Sequence, residues 1–256
     1  MKKSRKFRTD CSGQLLIVAA LAIAILIAST SIYVYELTTQ TPSLENSSMA
    51  ELALAVKAGL RNAMISALAN ITKGGQKTVL MENLAMLAGA YMQLHPQQLC
   101  QIRCTLLNGA GYEDGVKLSW NNNGLGVSSA YVFFTLKILG PAHNLTINDA
   151  INVTTLLAAE GCYTIDRNGS IKTVSLTCNV FNENKPAQAR KIIVYWEQTP
   201  ELWVPAENPD IIYLGNGTYT IVFAVTTPSE SVNVSVQLVD ARNIFVLANA
   251  TCNLAS

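Results

Sequence analysis

The chain has 256 residues, of which 50% are hydrophobic and only 14% are charged, a balance that one membrane segment helps to explain. The formal net charge is +1, but five basic residues precede a long apolar run, and the chain beyond it carries 13 basic and 16 acidic residues. Because nucleic-acid binding needs many cationic contacts to phosphates, this balance argues against a nucleic-acid partner.

The apolar run extends from Leu15 to Tyr35 and follows a basic leader, residues 1–13. Its 21 residues make enough helix to cross about 30 Å of hydrocarbon. The positive-inside rule places the leader in the cytoplasm and everything after the run outside the cell. We therefore predict a single-pass protein of the cell membrane, with the lipid bilayer as a partner and residues 14–35 as the transmembrane helix.

Three fates of this run stay open. It is a secretory signal cleaved near Ser29–Ser31, an uncleaved anchor, or a helix that is retained after the leader is removed at Gly13–Gln14. A basic leader, then Gly-Gln, then an apolar helix resembles the class III signal peptides of archaeal type IV pilin-like proteins. This resemblance covers residues 1–35 and implies cleavage after Gly13 by a prepilin-type peptidase. Two positions depart from the family pattern: Ser12 replaces a basic residue, and Val18 stands where many such helices carry glutamate.

Eight Asn-x-Ser/Thr sequons lie beyond the apolar run, whereas the composition alone gives about three. Such an excess on one side of a membrane segment predicts an extracellular glycoprotein. The glycosylation candidates are Asn46, Asn70, Asn144, Asn152, Asn168, Asn216, Asn233 and Asn249.

A membrane-proximal helical region is predicted over residues 36–110. Pro42, in the polar segment 38–43, predicts a break after the membrane helix. The capping box Ser48–Glu51 predicts the start of an amphipathic helix that ends at Lys73–Gly75. A second helix with leucines at helical spacing then ends before Pro96, and a short third helix is predicted over Pro96–Leu107.

From residue 111 onward the apolar residues recur with period two, which predicts an antiparallel β-sandwich ectodomain over 111–256. Two subdomains that meet near residue 169 are an alternative. The fold class is thus α+β: a transmembrane helix, a helical hairpin region and a β-sandwich. The predicted strands are Val116–Trp120, Ser129–Ile138, Ile151–Ala158, Cys162–Asp166, Lys172–Phe181, Lys191–Glu197, Thr218–Val225, Val232–Val239 and Ile244–Ala250.

The segment 172–252 resembles the immunoglobulin-like modules common in surface proteins. Cys178 and Cys252 stand 74 residues apart on two of its predicted strands, where an inter-strand disulfide fits. The other disulfide candidates are Cys100, Cys104 and Cys162, which leaves the connectivity open and one thiol over.

No catalytic constellation is present, and we predict no enzyme, cofactor or metal. The chain has only two histidines, His95 and His143, whose flanking residues favour surface or capping positions. Four aromatic residues lie in a proline-containing segment. They could line a groove that binds glycans or peptides, or they could pack in the core and at the edge of the sandwich, and we favour packing in the core. They are Tyr195, Trp196, Trp203 and Tyr213.

Two functions follow from this organisation. The first is a membrane-anchored binding or envelope-scaffold module without catalysis, whose partners are envelope proteins or glycans. The alternative is a pilin-like structural subunit of a surface filament, processed after Gly13, which self-associates. The predicted break at residues 38–43 and the absence of a charge at Val18 favour the first.

Overall fold

The computed structural model describes residues 12–94, 99–120, 123–139, 144–166 and 171–255, and in the first helix it describes the side chains of residues 23–24, 27–31 and 49–71. The chain is α+β: two helices, α1 (Ser12–Ile71) and α2 (Thr78–Leu94), precede the strands. Residues 1–11 of the leader, including Cys11, and the later residues His95, His143 and Asn168 lie outside the described residues.

Helix α1 continues for 60 residues without a break, so the predicted interruption at residues 38–43 is wrong. Proline inside a helix costs about 3 kcal/mol because it removes one backbone hydrogen bond, yet it often bends a helix rather than ending it. The capping box Ser48–Glu51 likewise lies inside α1. Its residues cost only a few tenths of a kcal/mol each in a helix interior, so they do not force a start there. The predicted end at Lys73–Gly75 is confirmed, and Gly74 adopts a positive φ of 98° in the turn.

Two compact units divide the chain, residues 1–52 and 53–256. The first unit contains the N-terminal part of α1. The second contains the rest of α1, helix α2 and every described strand. Its strands are β1 (Leu99–Leu106), β2 (Val116–Trp120), β3 (Leu125–Leu139), β4 (Asn144–Ile165), β5 (Lys172–Asn182), β6 (Lys185–Pro186), β7 (Ala189–Thr199), β8 (Leu202–Pro205), β9 (Asp210–Gly215), β10 (Thr218–Val225), β11 (Val232–Asp240) and β12 (Phe245–Leu254).

Strand β4 connects the two parts of the β-structure. Its residues 144–158 pair antiparallel with β3, which also pairs with β1 and β2, and its residues 155–165 pair antiparallel with β5. From β5 the hydrogen-bonded path continues to β10 and β9. In the other direction a two-residue parallel pairing joins β4 to β12, from which the path runs to β11, β7 and β8.

Strand β1 replaces the predicted third helix, and the β-structure therefore begins at Leu99, inside the region 36–110 that was predicted to be helical. Cys100 and Cys104 are four residues apart, a spacing that suits a helix face and a strand face equally well. From Cys100 to Leu106 the sequence in fact alternates apolar and polar residues with period two. Its eight pairs with β3, from Leu99–Leu139 to Leu106–Val132, satisfy the backbone of the segment as a strand.

Most predicted strands are confirmed, and β2 and β10 have the predicted bounds. The two predicted strands Ile151–Ala158 and Cys162–Asp166 are one long strand, β4. The short edge strands β8 and β9 were not predicted. They lie among prolines and carry apolar residues that are exposed rather than alternating, so they lack the pattern of a half-buried strand.

One apolar core contains buried residues of six strands, β4, β5, β7, β10, β11 and β12. Trp196 on β7 is 8% exposed and belongs to this core, which confirms the preferred interpretation of that residue. The backbones of β3 and β12 approach closely at Gly126. A Cβ atom at this position would lie only 2.1 Å from the carbonyl oxygen of Leu247, so a residue without a Cβ is needed there. The Ser128 hydroxyl donates a hydrogen bond to the Phe245 carbonyl oxygen at 2.7 Å in the same region.

Candidate functional site

The C-terminal part of α1 packs through the apolar face that the four-residue spacing predicted. Val56, Leu60, Met64 and Leu68 are all at most 1% exposed. Helix α2 lies against α1, since the Tyr91 hydroxyl donates to the carbonyl oxygen of the α1 backbone at residue 55. The inward-facing residues of β3 are buried as well.

Two ion pairs fix the orientation of this part of α1. Lys57 pairs with Asp149 on β4, and the Arg61 guanidinium lies 2.5 Å from the Glu183 carboxylate in the turn between β5 and β6. The hydrogen bond from Lys57, together with the Ala150 backbone N–H, holds the pKa of Asp149 below its usual value. Both pairs are exposed to solvent, so we expect them to set direction more than to add stability.

A second, less exposed set of charges lies next to Arg61. Arg242, in the turn between β11 and β12, donates to Asp240 at 2.9 Å, to Glu183 at 2.7 Å and to the Thr154 carbonyl oxygen at 3.0 Å. Burial alone would raise the pKa of Glu183, but the hydrogen bonds from Arg242 and the Thr154 N–H, and the charges of Arg242 and Arg61, outweigh it and lower that pKa. This network, which we call the Arg242 clamp, ties α1, β4 and the β11–β12 hairpin together.

The N-terminal unit leaves apolar side chains uncovered. Among its described side chains, Ile23 and Ile27 are 58% and 61% exposed, one helical turn apart. Burying an isoleucine is worth about 1.5–3 kcal/mol, so this face has a strong tendency to associate with lipid or with another apolar surface.

One helical segment among the described side chains, Met49–Ile71, is long and apolar enough to cross a membrane. A helix that packs in a protein core can have the same length and composition. Residues such as Leu60 and Met64 face the protein core in this segment, which accounts for its apolar character. Most side chains of the predicted transmembrane helix, residues 14–35, lie outside the described ones.

The sequon asparagines differ in exposure. Four of them are exposed: Asn70, Asn144, Asn152 and Asn216. Asn233 and Asn249 are half-buried on β11 and β12, and the Asn233 amide nitrogen, the atom that would carry a glycan, donates to Glu197 at 2.8 Å. The side chain of Asn46 is not among those described. Glycosylation stays a prediction at all eight positions.

The five described cysteines are free thiols, so the structure does not contain the predicted Cys178–Cys252 disulfide. These two residues belong to the same core cluster and are fully buried. Burial raises the pKa of Cys178 to about 12 and that of Cys252 to about 11. On β1, burial raises the pKa of Cys104 to about 11 and also raises that of Cys100. By contrast, Cys162 on β4 is exposed.

The structure separates the four aromatic residues that were considered as a groove. Trp196 faces the core, whereas Tyr195 alternates to the outer face of β7. Trp203 on β8 pairs in register with Glu197, is 37% exposed and lines a 210 Å³ depression with Asn233 and Asn249. Tyr213 lies on β9 and contacts Tyr219, with ring centroids 4.8 Å apart. No single groove therefore contains all four.

Sequence reasoning missed a groove on the strands β1, β3 and β4. Six polar side chains line it, contributed by three segments that are far apart in the chain: Gln101, Arg103, Thr135, Lys137, Thr146 and Asn148. The sequence signal for this groove is the alternation of polar and apolar residues in each of the three segments. In β1 this alternation was overlooked because the segment was interpreted as a helix.

No family model, curated protein or solved structure matches this chain. Within the described residues, no group of three or more histidine, cysteine, aspartate or glutamate side chains is arranged to hold a metal ion.

Proposed function

We propose that this protein is a pilin-like structural subunit of a cell-surface filament, processed after Gly13 and assembled through α1. The observation that carries this proposal is the continuity of α1 through residues 38–43. A break there was the main argument for a scaffold module, because a filament core needs one long helix per subunit. Without the break, a single helix joins the apolar N-terminal run to the folded unit.

The exposed pair Ile23 and Ile27 supports the same proposal. In a filament the apolar helices of neighbouring subunits cover one another, and before assembly the bilayer covers them. Before processing, the protein is then a single-pass membrane protein with its leader in the cytoplasm and its C-terminal unit outside. Exposed sequons such as Asn144 and Asn216 suit this location.

We also propose that β4–β12 form an immunoglobulin-like sandwich. In such a module one sheet has the strand order A-B-E-D and the other has the order C′-C-F-G, counted from an edge. The orders β4-β5-β10-β9 and β8-β7-β11-β12 fit this scheme, and Trp196 on β7 occupies the position of the buried tryptophan on strand C. Cys252 departs from it, because it lies on the last strand rather than on the one before.

Intact-mass analysis of the protein purified from a host that has a prepilin-type peptidase tests the processing step. We expect a mature N terminus at Gln14, and a Gly13→Val variant that keeps its leader. A Gly89→Ala variant is the control, since Gly89 lies on α2 with open space around its Cα; it should be processed normally. A start near Ser31 would contradict both an anchor and a filament.

Electron microscopy of sheared cell-surface material tests assembly. We expect filaments from the native chain and none from Ile27→Asn, while Met86→Asn, which removes an exposed apolar side chain from α2, leaves assembly intact. Membrane-bound protein with Met1 retained and no filaments would overturn the proposal in favour of the anchored binding or envelope-scaffold module. Filaments from Ile27→Asn in normal number would refute the role assigned to this helix face.

A further inference from the structure

The polar groove on β1, β3 and β4, which we call the basic groove, lies on the side of these strands that faces away from the helices. The alternate residues of β3, such as Leu136 and Ile138, are fully buried, so Thr135 and Lys137 point outward. The groove has a volume of about 460 Å³. Its lining therefore comes from side chains that neither the core nor the helix contacts require.

Two cations lie close together in the basic groove. The register places Arg103 opposite Thr135 and Gln101 opposite Lys137. Arg103 and Lys137 are therefore diagonal neighbours on adjacent strands, and such positions lie roughly 7–8 Å apart in the backbone. Neither takes part in an ion pair among the described residues, and none of the six lining residues is acidic. Asp149, the nearest carboxylate along β4, pairs with Lys57 of α1 instead. Two like charges held side by side favour the binding of an anion between them.

The neutral side chains of the groove add hydrogen-bond donors. The Thr135 hydroxyl donates to the Asn148 carbonyl oxygen Oδ1 at 2.8 Å, which occupies the acceptor of that amide and leaves its NH₂ group to donate outward. With the Arg103 guanidinium and the Lys137 ammonium, three donor groups thus surround one cavity. A guanidinium binds carboxylate or sulfate oxygens in a bidentate manner.

An aromatic ring lies next to these donors. Phe133 is two residues before Thr135 on the same face of β3 and is 45% exposed, and its ring contacts that of Tyr131 edge-on with centroids 5.2 Å apart. An exposed aromatic face beside polar groups suits the apolar face of a sugar ring. We propose that the basic groove binds an anionic polysaccharide, whose carboxylate or sulfate groups contact Arg103 and Lys137 while a sugar ring stacks on Phe133.

A saccharide fits better here than a nucleic acid. Single-stranded nucleic acids also stack on aromatic residues, but they are held by a long cationic track along the phosphates. The basic groove supplies only two cations, and the chain beyond the apolar run is acidic overall. A polysaccharide with a carboxylate or sulfate on every one or two sugar units can present an anionic group to each of these two cations. The inference does not depend on filament assembly, because the groove lies entirely within the second unit.

Titration calorimetry with the full chain in nonionic detergent tests the proposal. The probes are polygalacturonate and dextran sulfate, with neutral dextran and a 20-residue oligothymidylate for comparison. We expect binding to at least one of the acidic polysaccharides that weakens as salt increases. The double variant Arg103→Gln with Lys137→Gln should lose at least about tenfold in affinity, which corresponds to about 1.4 kcal/mol.

A matched double variant, Lys185→Gln with Lys191→Gln, removes the same charge from exposed positions on β6 and β7 and should change the affinity less than about threefold. Phe133→Ala tests stacking separately and should weaken binding while leaving its salt dependence intact. An unchanged melting temperature for each variant shows that the fold is retained. Equal binding to neutral dextran, tighter binding to the oligothymidylate, no binding to either acidic polysaccharide, or equal losses in the two double variants would each overturn the proposal.

Discussion

The Arg242 clamp makes a quantitative prediction about stability. Replacing Arg242 with methionine keeps most of the aliphatic volume but removes the guanidinium contacts to Glu183, Asp240 and the Thr154 carbonyl oxygen. The Asp240 side chain is 0% exposed, so its charge would stay buried without a cation. Breaking a buried pair in this way costs about 3–5 kcal/mol.

The hydrogen bonds that Asp240 keeps in the Arg242→Met variant decide where in this range the loss of stability lies. Asp240 still accepts hydrogen bonds from the Thr155 hydroxyl at 3.0 Å and from the Ile244 N–H at 2.9 Å. These bonds partly satisfy the carboxylate, and we therefore expect a loss in the free energy of unfolding near the lower end, about 3 kcal/mol at pH 7. Adding Asp240→Asn to Arg242→Met should restore part of the loss, because the second change removes the unpaired charge.

The same variant should change the pH dependence of stability. In the native protein the pKa of Glu183 is lowered, so its contribution is present above the pKa of the unfolded chain and disappears as the pH falls through the lower, folded value. Without Arg242, burial opposes the charge of Glu183 with less compensation, and that contribution shrinks. The difference between the native chain and Arg242→Met should therefore be larger at pH 7 than at pH 4.

Urea unfolding of the full chain in nonionic detergent, followed by tryptophan fluorescence, measures these differences. Trp120 contacts Phe245 edge-on at 5.2 Å, close to the clamp. Arg190→Met is the control, since Arg190 donates to Asn243 in the same hairpin from an exposed position; we expect a change within about 0.5 kcal/mol. A loss below about 1 kcal/mol for Arg242→Met, or the same loss at pH 4 and pH 7, would refute the role assigned to the clamp.

Two further predictions concern the core. Gly126→Ala should reduce the free energy of unfolding by about 3 kcal/mol or more, because the new Cβ would lie 2.1 Å from the Leu247 carbonyl oxygen. The control Gly89→Ala on α2 should be neutral or stabilising by up to about 1 kcal/mol. Equal melting temperatures for the two variants would contradict this packing. A maleimide at pH 8 should label the exposed thiol of Cys162 within minutes. Cys178 should be labelled only after the chain is unfolded in urea without a reductant. In the folded protein the pKa of Cys178 is about 12, which leaves about one thiolate in ten thousand at pH 8. Peptide mass spectrometry locates the label, and a Cys178 that resists labelling in urea would reveal a disulfide.

Much of the β-structure could be predicted because its signals are local. Strands β2 and β10 have the predicted bounds, since each contains β-branched and aromatic residues and is followed or preceded by a turn containing glycine and asparagine. The apolar face of α1 from Val56 to Leu68 and the turn at Gly74 follow from the same kind of pattern. Trp196 was expected in the core and lies there.

The errors occurred where a local pattern fits two structures. Cys100 and Cys104 suit either a helix or a strand, and pairing with β3 decided for the strand. Pro42 destabilises the helix locally, but α1 has long helical segments on both sides of this residue and continues through it. In both cases an interaction with residues distant in sequence, or the length of the whole element, outweighed the local preference.

The sequence by itself determined the order of the parts: a basic leader, an apolar helix, an amphipathic helical pair and a β-rich region with many sequons. Tertiary structure alone decided which side chains meet. Arg103, Lys137 and Asn148 become neighbours only because β1 and β4 both pair with β3, and Arg61 reaches Glu183 across 122 residues of chain. Periodicity reports which face of an element is apolar, but the partner of that face depends on strand order and register, which are properties of the assembled sheet.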